Sequence, residues 1–108
     1  IKIIESTIRC NLSGSTDYLN FTIENTGSVN LYNFTTEIYV SNALYSYSTF
    51  QISDNATLNI SNPLKPNSRK SVWANITDNL ANADAGWIRI STICPKIADK
   101  VDGVDCTP

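Results

Sequence analysis

The chain has 108 residues, enough for one domain with its own core. Its net charge of −2, with no basic cluster, excludes an electrostatic binder of nucleic acid. Thirteen Asn and 23 Ser plus Thr, against only 17% charged residues, disfavour helix because these side chains compete for backbone hydrogen bonds; they suit a β-rich extracellular protein.

Residues Lys2 to Cys10 alternate loosely, with Ile4, Ile8 and Cys10 on one face and Glu5, Thr7 and Arg9 on the other, and predict a first strand. Asn11 to Asp17 is turn chemistry around Gly14. Residues 19 to 40 then read as strand, turn, strand. Leu19, Phe21 and Ile23 point inward, Asn25-Thr26-Gly27-Ser28 reverses the chain with Gly27 at positive φ, and Phe34, Thr36, Ile38 and Val40 resume the alternation. The expected result is a hairpin whose buried faces nucleate a sheet. Leu44 to Ile52 predicts a short edge strand, and Thr57 to Ser61 another strand with Leu58 and Ile60 inward. Pro63 and Pro66 fix a loop, and Arg69 to Thr77 is a strand with Val72, Ala74 and Ile76 inward. Asp78 to Ala85 is the one segment suited to a helical turn, Trp87 to Cys94 is the last strand, and residues 95–108 read as a peripheral tail. About seven strands separated by turn signals predict an all-β, antiparallel two-sheet β-sandwich of immunoglobulin-like type, with residues 1–94 as the domain.

Six N-x-S/T sequons make Asn11, Asn20, Asn33, Asn55, Asn59 and Asn75 glycosylation candidates, about twice the number that chance supplies in a chain of this composition. Asn20, Asn33, Asn59 and Asn75 fall on the outward parity of their strands. The alternative is an Asn-rich surface with no modification. Cys10, Cys94 and Cys106 allow one intrachain disulfide. Cys94–Cys106 is favoured because it closes a short loop and ties the tail back; Cys10–Cys94 would instead join the first and last strands. Zinc needs four ligands, and the chain has no His. Asp99, Asp102 and Asp105 are spaced by three rather than the two of a calcium loop, which favours a solvated acidic segment. Without His, Ser–His and Cys–His nucleophile activation is excluded, and no other catalytic motif or cofactor signature stands out, so an enzyme is not expected. Tyr45, Tyr47, Phe50 and Trp73 are partner-contact candidates, through aromatic burial or through an exposed strand edge that pairs with another chain. The competing reading packs them under loops of their own domain. Trp73, Trp87 and the tyrosines also suit a carbohydrate-binding surface.

The segments IENTGSVNLYNFTTEIYV (23–40) and LKPNSRKSVWANI (64–76), within an all-β body, resemble the soluble domains of the archaeal flagellum (archaellum) accessory proteins FlaF and FlaG, and FlaF more than FlaG. Residues 25–28 match the family's N-T-G-S-type turn. The absence of Met marks a processed or trimmed chain and agrees with a membrane helix preceding it, as in that family. The resemblance implies a stator module outside the membrane that grips the surface-layer protein and other flagellum components, often as a homodimer, with contact to the membrane only through an N-terminal segment. A pilin-like or flagellin-like filament head, or a surface adhesion module, is the rival expectation.

Overall fold

The computed structural model describes residues 1–13, 16–40, 43–76, 85–92 and 98–104. Eight strands run in order: β1 (Lys2–Ser13), β2 (Thr16–Glu24), β3 (Thr35–Val40), β4 (Ala43–Ser48), β5 (Phe50–Gln51), β6 (Arg69–Asn75), β7 (Ala85–Ser91) and β8 (Ala98–Val104). They form two four-stranded sheets, β1-β2-β6-β5 and β4-β3-β7-β8, and every pairing within them is antiparallel. The core is built from alternate residues of both sheets: Ile3, Leu19, Phe21, Ile23 and Val72 from the first, Ile38, Ile88, Ile90 and Val101 from the second. Among the described residues there is no helix.

Alternation reads the faces correctly in β2, β3 and β6, and β7 buries alternate residues in the same way. Leu19, Phe21, Ile23, Thr36, Ile38, Val72, Ala74, Ile76, Ile88 and Ile90 are all buried. Partnership differs from the expected hairpin. β2 and β3 lie in opposite sheets, so the segment between them crosses the core instead of closing a turn. Gly27 lies outside the left-handed region; positive φ falls instead at Asn33, Asn55, Asn67 and Gly103. The crossing is anchored on the 64–68 loop. Leu31 and Leu64 exchange backbone hydrogen bonds of 3.0 and 2.8 Å, and the Asn25 backbone bonds Ser68 O and Asn67 N–H.

Other differences have local causes. In β1 the register slips between Ile4 and Arg9, with residues 5–8 opposite Phe21 alone. Ile3 therefore enters the core in place of Ile4. The bulge is stitched by Thr7, whose Oγ1 donates to Ile4 O (2.6 Å) and accepts from Thr22 N–H (2.8 Å). The 44–52 segment divides between sheets at Thr49, which is buried and shares a 2.7 Å hydrogen bond with Thr36. Residues 57–61 form a tight reversal: Asn59 and Asn62 bridge, Leu58 is buried, and Ile60 is 74% exposed. Residues 98–104, expected within a tail, form β8 along the full length of β7, with Val101 buried and Asp99 Oδ2 accepting from Ile3 N–H at 2.7 Å. The expected helical turn at 78–85 falls largely outside the described residues; only Ala85 is described, at the start of β7.

Candidate functional site

Register places one aromatic group on the outer face of each sheet. On the first sheet, Tyr18 stands opposite Asn75 and Asn20 opposite Trp73, so two aromatics and two sequon asparagines occupy the corners of one patch. Tyr18 meets Trp73 edge-on with centroids 6.2 Å apart, and Phe50 packs on the other side of Trp73 at 5.3 Å. The turn following β5 supplies Ile52, about half exposed, and Asn55. That turn is closed by Gln51 N–H to Ala56 O (2.8 Å), Asn55 N–H to Gln51 O (2.9 Å) and Ala56 N–H to Asp54 Oδ1 (3.0 Å). Asn55 Oδ1 accepts from Trp73 Nε1 at 3.0 Å. Together Tyr18, Asn20, Ile52, Asn55 and Trp73 line a cleft of about 350 Å³, at the small end of the range for small-molecule sites.

On the second sheet Tyr39 and Trp87 are direct cross-strand partners and stack with centroids 5.6 Å apart and planes 5° from parallel. Gly86 permits that approach: a Cβ there would meet Tyr39 Cδ1 at 3.2 Å and Tyr39 O at 3.3 Å. Arg89 and Lys100 lie 5.7 and 5.4 Å from the Trp87 ring centre. Arg89 also bonds Glu37 at 2.7 Å.

The sequence candidates therefore separate. Phe50 and Trp73 share the first sheet's outer patch. Tyr45 and Tyr47, on the edge strand β4, are half-buried and pack against the core. Of the sequon asparagines, Asn33, Asn55 and Asn75 are exposed and Asn20 and Asn59 are half-buried. The Asn59 amide is already engaged: Oδ1 accepts from Ser61 N–H and Asn62 N–H, and Nδ2 donates to Thr57 O. The side chains of Asn11 and Cys10, and all of Cys94, Cys106 and Asp105, lie outside the described residues, and with them both candidate disulfides. Asp99 and Asp102 sit on opposite faces of β8 and do not converge on one cation. Among the described residues no group of three or more Cys, Asp or Glu is placed to hold a metal ion, and no helix is long and apolar enough to cross a membrane.

Single-sequence reading missed Ile52, Arg89 and Lys100, and included Tyr18 and Tyr39 only among the tyrosines at large. Parity offered a signal for Tyr18, two residues before Asn20, but only the β2–β6 register brings it to Trp73. Compared with known protein families, with curated proteins and with solved structures, the chain matches none.

Proposed function

We propose that this chain is a non-enzymatic, extracellular, immunoglobulin-like binding module that contacts other proteins by strand addition at β4, in the manner expected of an archaeal flagellum stator domain bound to the surface layer. The strand order β1-β2-β6-β5 against β4-β3-β7-β8 supports the immunoglobulin-like part of this reading. The observation that carries the binding part is the contrast among the four sheet edges. β1 is bulged and bears Lys2, Glu5 and Arg9; β5 is two residues long; β8 bears Asp99, Lys100 and Asp102. Each is protected against pairing with another chain. β4 has neither charge, nor Pro, nor bulge in ALYSYS, pairs among the described residues with β3 alone, and exposes Leu44. Among the described residues no strand lies on the outer side of β4, which leaves that edge to a further strand from a surface-layer subunit or a second copy.

Capture of purified surface-layer protein by the wild-type chain and by Leu44→Lys tests this. A charge on the edge should abolish capture, and any dimer seen by sedimentation, while the melting temperature is unchanged. Absence of wild-type binding together with co-assembly into filaments would assign the chain to the filament instead.

A further inference from the structure

We infer that Asn55 carries an N-linked glycan whose first sugar is seated in the Tyr18–Trp73 cleft, so that the outer face of the first sheet is covered by the protein's own carbohydrate. The inference rests on the extracellular reading, because sequons are modified only on exported chains. Asn55-Ala56-Thr57 is one of six sequons, and it is distinguished by geometry. The indole N–H is a donor only, so the Asn55 atom facing Trp73 Nε1 at 3.0 Å must be Oδ1. That leaves Nδ2, the atom that bonds sugar, with no partner among the described residues. Glycosylation keeps Oδ1, so the bond to Trp73 survives and holds the modified amide at the rim of the cleft. The hydrogen-bonded 51–56 turn fixes the same amide from the backbone side. Asn55 itself is exposed and accessible, whereas Asn59 spends its amide on its own turn.

The cleft suits the occupant. One face of a pyranose ring is lined by C–H groups and packs on an aromatic plane, while its hydroxyls need polar neighbours. Trp73, Tyr18 and Ile52 supply the first, and Asn20 lines the same cleft with an amide. In the transfer, a lipid-linked oligosaccharide phosphate is the donor. The Nδ2–C1 bond forms, the bond from C1 to the phosphate oxygen breaks with its electron pair leaving on the phosphate, and Nδ2 gives up one proton. With this face occupied, contact with another protein is left to β4 and the Tyr39–Trp87 face.

The test uses the whole chain exported from cells that glycosylate a control secreted protein, with Trp87→Phe so that Trp73 is the only reporter. Thr57→Ala removes the sequon without touching the Asn55–Trp73 hydrogen bond. Glycopeptide mass spectrometry should find sugar on Asn55, and acrylamide quenching of Trp73 should rise about twofold in Thr57→Ala. Removing the glycan from folded wild-type protein should produce the same rise, independently of any folding defect in the variant. Asn55 unmodified while other sequons carry sugar would overturn the seat and leave the extracellular reading standing. Modification of no sequon, with the control protein modified, would overturn the seat and withdraw the support that the sequons lend to the extracellular reading. Unchanged quenching with Asn55 modified would overturn the seat alone. Protection of Trp73 by added free oligosaccharide in a chain whose Asn55 is found unmodified would assign the cleft to an external sugar and overturn the proposal.

Discussion

Asn25 does more than permit a turn. It is fully buried, and its amide is satisfied on both sides: Nδ2 donates to Val29 O (2.7 Å) and Leu64 O (2.9 Å), and Oδ1 accepts from Gly27 N–H (2.9 Å). It therefore fastens the inter-sheet crossing to the 64–68 loop. Asn25→Ala would remove the bonds to Val29 O and Gly27 N–H and leave Leu64 O with its Leu31 N–H partner alone, at a cost of about 2 kcal/mol. Asn25→Asp would still accept from Gly27 but would set a carboxylate against the carbonyls of Val29 and Leu64. Burial there favours the protonated acid, so this variant should be least stable at neutral pH and recover partly as pH falls. Gly27→Ala makes the contrast. Gly27 is exposed, and an added Cβ meets only Asn25 Oδ1, at 3.5 Å. Its stability should change by no more than about 0.5 kcal/mol. Urea unfolding of the three variants checks the order; a Gly27→Ala as damaging as Asn25→Ala would contradict it.

At the scale of elements, what was legible in the sequence was which side chains face inward, and what was not was which strands pair. Period-two alternation is a property of one strand, and Val72, Ala74 and Ile76 display it without reference to neighbours. Pairing depends on how two sheets close a common core, so nothing within 19–40 revealed that β2 and β3 separate. β1 was misread because its bulge shifts parity midway, and β8 because Asp99, Asp102 and Gly103 disguise a strand that buries Val101. The cleft was invisible for the same reason as the pairing: Tyr18, Asn55 and Trp73 are distant in sequence and meet through register. β8 gives this a measurable consequence. Truncation after Pro95 would strip Val101 from the core, expose β7 as a new edge and remove the Asp99–Ile3 bond that joins the two sheets. The truncated chain should lose cooperative thermal unfolding or become insoluble. A melting temperature equal to that of the full chain would show that β8 is dispensable.

The whole molecule has one core shared by two layers, joined at Leu31–Leu64, Thr36–Thr49 and Ile3–Asp99. Such a body should unfold as a unit, because neither sheet can keep its apolar face buried without the other. The chain carries its own reporters, Trp73 on the first sheet and Trp87 on the second. Trp87→Phe leaves fluorescence to the first sheet and Trp73→Phe leaves it to the second. Within each background, fluorescence should report the same midpoint as far-ultraviolet circular dichroism. Phe21→Ala opens a cavity from the first sheet's side only, yet should lower the midpoint in both backgrounds, by an amount corresponding to about 3–5 kcal/mol. If Trp87 kept its native emission while Trp73 had already melted, the two layers would be separate cooperative units and the shared core would not be what holds them together.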